Sequence, residues 1–178
     1  MVVEIGEEVE GFSRGDRVAC AGAGIANHAE LIAVPVNLAV RVPDTLGLDA
    51  ASTVTLGAIA LQGVRRAAPT LGETVGVIGL GILGQLTVQL LAANGCRVVV
   101  SDLDAARMAL AVEHGAFDGS GDFRERVLAL TDGFGLDAVI VTAATAPGEP
   151  MHQAALACRK KGRSSAPVRW RRGRTCRT

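Results

Sequence analysis

The stretch Val77-Ile78-Gly79-Leu80-Gly81-Ile82-Leu83-Gly84 decides how this chain is interpreted, because it places three glycines between a predicted strand and a predicted helix. In a turn of the form G-x-G-x-x-G, the first glycine, Gly79, allows a tight bend, and Gly81 lets the backbone approach a pyrophosphate. Gly84 permits close packing of the helix on the strand. The free N–H groups and the positive dipole end of that helix then face the phosphates. The pattern predicts a turn that binds a dinucleotide.

Strand and helix patterns alternate around this turn. Thr74–Ile78 is a short apolar strand before it, and the run Val98–Val100 is continuously apolar, as in a parallel sheet covered on both faces. A third buried-type strand is predicted over Asp137–Ala143, and a last helix from about Glu149 to Lys161. This alternation predicts an α/β fold built on a Rossmann doubly wound parallel sheet.

The helix after the turn is predicted over Ile82–Asn94, with Asn94-Gly95 as its stop signal. A second helix is predicted over residues 48–67. In each helix, apolar side chains three or four positions apart define the predicted buried face. These are Leu83, Leu86, Leu90 and Ala93 in the former, and Ala51, Val54, Ala58, Leu61 and Val64 in the latter.

Asp102 follows the second strand and lies 23 residues after Gly79, close to the position of the acidic residue that binds a ribose in such folds. A carboxylate there accepts hydrogen bonds from both ribose hydroxyls and repels a 2′-phosphate, which favours NAD over NADP. The alternative makes Asp102 a loop residue ahead of Asp104, the predicted N-cap of a helix through His114. Arg107 is interpreted as an exposed helix residue, with a contact to a 2′-phosphate or adenine as the alternative.

The composition indicates a globular protein with an aliphatic core, since 49% of the residues are hydrophobic and only 3% are aromatic. No apolar run approaches the length of a membrane span. The N-terminus has no basic n-region of a signal peptide, so a cytoplasmic location is expected. The four cysteines are dispersed, without the spacing of a zinc site, and are expected to be free thiols; no metal site is predicted.

Charge is distributed unevenly along the chain, although the formal net charge is zero. Residues 163–178 contain six arginines and no acidic residue, whereas all 18 acidic residues precede them. One hypothesis is translation in a shifted reading frame after Arg163. The rival is an Arg-rich nucleic-acid-binding tail, which is disfavoured because Trp170 is its one stacking aromatic. No nucleic-acid or membrane partner is therefore expected.

Several separated motifs resemble the medium-chain dehydrogenase/reductase superfamily, which is zinc alcohol dehydrogenase-like and related to threonine dehydrogenases. They are Gly-Asp-Arg-Val at residues 15–18, His-Ala-Glu at 28–30 with the following Val-Pro, and the glycine turn. Residues 55–65 and 85–91 look closest to its bi-domain oxidoreductase branch. The resemblance covers residues 1 to about 163.

This resemblance implies a GroES-like catalytic domain joined to a Rossmann domain, and hydride transfer between NAD(P) and a small alcohol or carbonyl substrate. The expected organisation is a partial GroES-like domain over residues 1–47, an incomplete Rossmann NAD-binding domain over 48–163, and a non-family Arg-rich tail over 164–178. The expected cofactor is NAD, and a homo-oligomer is possible for such a chain. The expected cofactor-binding residues are Gly79, Gly81, Ile82, Leu83, Gly84, Asp102, Leu103 and Arg107, with Thr55 and Thr142 near the nicotinamide by resemblance.

The chain departs from the family pattern at both ends, and it is expected to be truncated there. A Cys and a Gly-His-Glu of zinc-dependent members would precede Met1, so no catalytic residue is assigned. If the sheet ended after Asp137–Ala143, that strand would be an exposed apolar edge and the nicotinamide half of the fold would be largely absent. Two alternatives stay open: a non-catalytic NAD-binding fragment, and a zinc-free quinone-reductase-like reductase that uses NADPH.

Overall fold

A computed structural model describes residues 1–143 and 148–166 of the chain. The chain separates into two compact units, with the division between Thr55 and Leu56. None of the helices within the described ranges has the combination of length and apolarity that crossing a membrane requires.

The first unit contains little regular structure. Its two strands, β1 (Val18–Cys20) and β2 (Ala39–Arg41), pair antiparallel, and a short helix, α1, spans Leu48–Ala51. The described N-terminal residues before β1 form no strand, although the Val2 N–H donates to the carbonyl of Asp16 and the Val2 carbonyl accepts from the N–H of Gly15. Among the residues of this unit, all of which are described, the buried apolar side chains are those of Val42 and Ala51.

The second unit is built on a five-stranded parallel sheet in the order β5-β4-β3-β6-β7. Each strand pairs parallel with its neighbours, which confirms the predicted doubly wound, Rossmann-like α/β fold. The strands are β3 (Thr74–Ile78), β4 (Arg97–Ser101), β5 (Phe117–Asp118), β6 (Leu136–Val141) and β7 (Cys158–Ser165).

Helices cover both faces of this sheet. The helices are α2 (Val54–Ala67), α3 (Ile82–Ala93), α4 (Ala105–Glu113), α5 (Phe123–Leu130) and α6 (Glu149–Ala157). One hydrophobic cluster joins β3, β4 and β6 to the end of α2 and to α3 and α4, and a second joins the opposite face of those strands to α5 and α6. Residues of the three central strands are almost completely buried, as expected for a parallel sheet between two helical layers.

The predicted last helix, Glu149 to Lys161, is correct only as far as Ala157. The following residues form β7, which lies beside β6. Two ion pairs hold this strand: Arg159 Nε lies 2.6 Å from Asp137 Oδ1, and Arg163 pairs with Glu73, which directly precedes β3. The expectation that β6 would be an exposed edge is therefore wrong. Residues 167–178 of the predicted tail lie outside the described residues.

The buried helix faces also differ from those predicted. In α2, Val54 and Leu61 are exposed, and the buried residues are Ala60, Gly63, Val64 and Ala67. In α3 the buried face is instead formed by Gly84, Gln85, Thr87, Val88 and Leu91. Both buried faces combine small residues with larger apolar ones, and in α3 the helix backbone packs closely on the glycine turn at Gly84. The spacing of the large apolar side chains alone therefore does not identify the buried face of these two helices.

Local turn and capping residues identified the helix ends better than apolar spacing identified the buried faces. Asp104 is the N-cap of α4, where its side chain accepts hydrogen bonds from Ala106 N and Arg107 N, and Gly95 follows α3 with a φ of 78°. The prediction missed β5 and α5, although Asp122 and Glu125 have the spacing of an N-terminal capping motif. Asp122 Oδ1 accepts a hydrogen bond from Glu125 N at 2.9 Å.

Candidate functional site

The glycine turn lies at the carboxyl end of β3, as predicted, and its first glycine is required by sterics. Gly79 has a φ of 93°, and a Cβ there would lie 2.5 Å from the backbone nitrogen of Ala143, which follows β6. The Gly79 N–H donates to the carbonyl of Ser101 at 2.8 Å. The turn is therefore held between the ends of the two strands that flank β3.

The other two glycines of the turn have different roles. A Cβ on Gly84 would overlap the carbonyl oxygen of Gly79, so α3 packs directly on the turn. A Cβ on Gly81 would have no atom within 4 Å, and the φ of Gly81 is an ordinary −61°. Gly81 is thus not required for packing. It leaves open space at the N-terminus of α3, where a bulky anion can approach the backbone.

Asp102 is fixed beside this turn by backbone amides. Its Oδ2 accepts a hydrogen bond from the N–H of Leu80 at 2.5 Å, and its Oδ1 accepts one from the N–H of Asp104 at 2.9 Å. No arginine, lysine or histidine within the described ranges forms an ion pair with it. Because each carboxylate oxygen has two lone pairs, acceptor capacity remains on both oxygens.

Of the other predicted cofactor residues on this side, Leu103 is fully exposed and Ile82 is 55% exposed, whereas Leu83 is half-buried. Arg107 lies on the first turn of α4, with its side chain about half exposed and its Nε 3.5 Å from Asp104 Oδ2. This position agrees with the interpretation of Arg107 as an exposed helix residue. It also leaves the guanidinium near the loop that carries Asp102.

The two predicted threonines lie in different units. The Thr142 hydroxyl donates to the carbonyl of Gly79 at 2.5 Å, so this residue braces the glycine turn from the end of β6. Thr55 belongs to the first unit, where its hydroxyl donates to the carbonyl of Cys20 at 3.4 Å. A cavity of about 990 Å³ in that unit is lined by Thr55, Cys20 and mostly apolar residues of its N-terminal segments.

Two polar residues near the turn were not predicted. Gln85 is buried on α3 although it is polar, and it borders a groove of about 440 Å³ between α3 and α4. Asp118 ends β5 at the same edge of the sheet, and its Oδ1 accepts from Ser120 N at 2.7 Å. Hydrogen bonds from the Ser120 backbone and side chain lower the pKa of Asp118. A polar residue on the buried face of a predicted helix is the signal that would have identified Gln85.

Comparisons with known proteins agree with this geometry. A family profile described as zinc-binding dehydrogenase matches residues 83–166. A phenolphthiocerol/phthiocerol polyketide synthase polypeptide of Mycobacterium tuberculosis is 34% identical over 149 residues, which cover 78% of this chain and 7% of that protein. An alcohol dehydrogenase superfamily protein from Novosphingobium aromaticivorans has a TM-score of 0.82 at 27% identity, covering 93% of this chain and 52% of that one. A mycobacterial protein solved with NADPH has a TM-score of 0.77 at 26% identity, covering 91% and 52%.

This chain has the fold and the glycine turn of NAD(P)-dependent oxidoreductases, and the comparisons agree with that class. Within that class, the chain is similar to members of the medium-chain dehydrogenase/reductase superfamily, whose profile and solved structures match it. The chain spans about half the length of these solved structures and a small fraction of the polyketide synthase. The members of this family are enzymes, whereas the activity of this chain itself is a proposal.

The description of the matching profile includes zinc, but the described side chains of this chain do not provide a zinc site. Across residues 1–143 and 148–166, no three His, Cys, Asp or Glu side chains come close enough together to hold a metal ion. These residues do not fit a catalytic or structural zinc site. No step of the proposed chemistry is therefore assigned to zinc.

Proposed function

We propose that this chain binds NAD(H) by its adenosine and pyrophosphate groups and contributes the cofactor-binding part of an oxidoreductase. The observation that carries the proposal is the placement of Asp102, which two backbone amides fix directly beside the glycine turn. The open space at Gly81 supports it, because a pyrophosphate needs close access to the N–H groups of the first turn of α3.

Preference for NAD(H) over NADP(H) follows from the charge of Asp102. The remaining lone pairs of its carboxylate suit the two hydroxyls of an adenosine ribose. A 2′-phosphate would bring a second anion against a carboxylate that has no cationic partner among the described residues. Repulsion between the 2′-phosphate and the Asp102 carboxylate would disfavour binding of NADP(H).

The chemistry proposed for the complete protein is hydride transfer between the nicotinamide and a small alcohol or carbonyl compound. The nicotinamide supplies the hydride chemistry when it is bound. The residues of this chain bind and orient the dinucleotide, and none of them is assigned as an acid or base. We further propose that residues 1–47 are part of a GroES-like domain and residues 48–163 an incomplete Rossmann domain.

The experiment is a calorimetric titration of the purified full chain with NADH and, separately, NADPH. Asp102→Asn removes the charge but keeps an acceptor, so we expect NADH affinity to fall roughly tenfold, the scale of one hydrogen bond to a charged group. NADPH affinity should fall less or rise. Asp118→Asn is the matched control, because Asp118 ends the neighbouring strand and forms a similar turn.

Equal loss of NADH affinity in both variants would contradict the role of Asp102. Binding of neither nucleotide by folded wild-type chain would contradict the proposed function. NADH binding without turnover of alcohols or carbonyls would identify a non-catalytic NAD-binding fragment.

The second candidate is a zinc-free, quinone-reductase-like reductase that uses NADPH. It is favoured by the similar mycobacterial protein that was solved with NADPH and by the half-exposed guanidinium of Arg107, which lies 3.5 Å from Asp104 on the loop after Asp102. It predicts tighter binding of NADPH than of NADH, and a loss of that preference in Arg107→Gln. The same titration therefore separates the two candidates.

A further inference from the structure

Gln85 connects the two parts of the proposed nucleotide site. It lies one residue after the last glycine of the turn, on the buried face of α3, and only 9% of its surface is exposed. Assuming the nucleotide site proposed above, we propose that Gln85 is a positioning residue, which holds the pyrophosphate turn and the ribose-binding carboxylate at a fixed distance from each other.

The carboxamide of Gln85 uses both of its donors on backbone carbonyls. Its Nε2 donates to the carbonyl of Leu80 at 3.3 Å and to the carbonyl of Arg107 at 2.8 Å. Two carbonyl partners fix the orientation of the amide, since a flipped group would oppose oxygen to oxygen. Gln85 therefore links the middle of the glycine turn to the first turn of α4.

These contacts complete a closed circuit of hydrogen bonds. The Leu80 peptide is held on both sides, because its N–H donates to Asp102 and its carbonyl accepts from Gln85. Asp102 in turn accepts from the N–H of Asp104, which caps α4 by accepting from Arg107 N at 3.3 Å. The Arg107 carbonyl accepts from Gln85 Nε2, and this hydrogen bond closes the circuit. Gln85 is the one side chain that links α3 to α4 within this circuit.

The amide oxygen of Gln85 indicates that the side chain positions the turn and α4 more than it stabilises the fold. Gln85 Oε1 is buried and has no hydrogen-bond partner among the described residues. A buried acceptor without a partner is unfavourable, so it offsets part of what the two donated bonds contribute. Methionine has a similar length and no such acceptor. We therefore expect Gln85→Met to remain folded while the circuit opens.

The test compares Gln85→Met with Gln89→Met, the same substitution one turn further along α3. Gln89 borders the same groove but is exposed. Gln85→Asn is a second variant, which is shorter by one methylene and reaches at most one of the two carbonyls. For each chain, dissociation constants for NADH and NADPH are measured by calorimetry, and hydrogen exchange of the Leu80 and Asp104 amides is measured by NMR without nucleotide.

We expect NADH to bind about tenfold more weakly to Gln85→Met, with an intermediate loss in Gln85→Asn and none in Gln89→Met, since two modest hydrogen bonds are lost. The preference for NADH over NADPH should shrink, because Asp102 is no longer held against the turn. Exchange at Leu80 and Asp104 should accelerate in both Gln85 variants. A role in stability alone would weaken both nucleotides equally and leave their ratio unchanged.

Two results would overturn this inference: wild-type NADH affinity and preference in folded Gln85→Met or Gln85→Asn, or unchanged exchange at Leu80 and Asp104. Failure of the proposed function is distinguishable, because wild-type chain would then bind neither nucleotide while the exchange rates still show whether Gln85 holds the circuit. If Gln85→Met does not fold, Gln85→Asn decides by the same measurements.

Discussion

The two ends of the parallel sheet use their carboxylates differently. At the amino end, Asp137 pairs with Arg159 and Glu73 pairs with Arg163. At the carboxyl end, Asp102 accepts only from backbone amides. The carboxylates of the amino end are thus neutralised within the fold, whereas Asp102 keeps its charge and part of its acceptor capacity. In open α/β sheets the carboxyl end is also where ligands bind.

Ion pairing thus separates the carboxylates that hold the fold from the one that is available to a ligand. A carboxylate with a structural role has a cationic partner, and the ion pair holds a strand in place. Asp137 is an example, because its pair with Arg159 holds β7. Asp102 is positioned just as firmly but without a cation. Substitutions at the amino end should therefore change stability, and substitutions at the carboxyl end should change nucleotide binding unless they disturb packing.

The largest effect is expected from the pair Gly84→Ala and Gly81→Ala. The methyl group of Gly84→Ala would collide with the Gly79 carbonyl, so we expect a loss of about 3 kcal/mol or more in the free energy of unfolding. In Gly81→Ala the methyl group meets no protein atom. Its stability should fall by about 1 kcal/mol or less, because alanine is a poorer N-cap than glycine, while NADH binding is lost. Urea unfolding and calorimetry measure the two quantities.

Gly81→Ala serves as the control for Gly84→Ala, because both change one glycine of the same turn to alanine. Equal destabilisation of the two variants would contradict the assignment of packing to Gly84. Unchanged NADH affinity in Gly81→Ala would contradict the assignment of the pyrophosphate to this turn.

A smaller effect is expected at the amino end of the sheet. Asp137→Ala removes both the ion pair with Arg159 and the acceptor of the Thr74 N–H, which lies 2.8 Å from Asp137 Oδ2. We expect a loss of about 1–2 kcal/mol in the free energy of unfolding, mainly because the Thr74 N–H loses its partner. Arg159→Ala should cost about 0.5 kcal/mol or less, since the pair is partly exposed and is screened by salt.

Neither change should alter NADH affinity, because both residues lie at the end of the sheet opposite the turn. Urea unfolding at low and high salt measures the stabilities. High salt should remove most of the effect of Arg159→Ala but only the smaller, ion-pair part of the effect of Asp137→Ala. Equal losses in the two variants would show that the Thr74 hydrogen bond contributes little. A changed NADH affinity in either variant would contradict the claim that the amino end of the sheet does not contribute to nucleotide binding.

The smallest effect concerns Cys158, the first residue of β7. Burial raises the pKa of its thiol above the usual value of 9.0, so the folded chain holds the proton more tightly than the unfolded chain does. The contribution of this thiol to stability is therefore present below pH 9.0 and declines as pH rises beyond it.

Alkylation of Cys158, followed by peptide mass spectrometry at about pH 8, should be several-fold slower in the native chain than in urea, since the thiolate is the reactive form. The urea sample is the internal control, because the same thiol then has its ordinary environment. Equal rates in the two samples would contradict burial of this side chain and, with it, the placement of β7 beside β6.

Features of the fold and the candidate site could be predicted from sequence where they depend on residues close together along the chain. The positions of the glycine turn after β3 and of Asp102 after β4, and the Asp104 cap, agree with the sequence, because each depends on backbone geometry within a few residues. The nucleotide-binding roles of the turn and of Asp102 stay predictions. β7 was missed, since its first residues were predicted as the end of the last helix, and the partner that holds Arg159 lies across the sheet. No local pattern predicts that Arg159 meets Asp137.

The buried face of α3 was wrong for a related reason. Gln85 and Gly84 face inward because the helix backbone packs on the turn and on α4, and this depends on tertiary contacts. The capping signal at Asp122, in contrast, was local and readable. Its spacing to Glu125 predicts the start of α5.

NMR mapping of NADH binding on the isotope-labelled full chain would show directly which end of the sheet binds the nucleotide. We expect saturable shifts of the amides at the turn and after β4, with those of Asp137 and Glu73 unchanged. The amides expected to shift are those of Gly81, Ile82, Leu83 and Asp102. Shifts that are absent, or that concentrate in the cavity of the first unit, would contradict the proposed site at the turn.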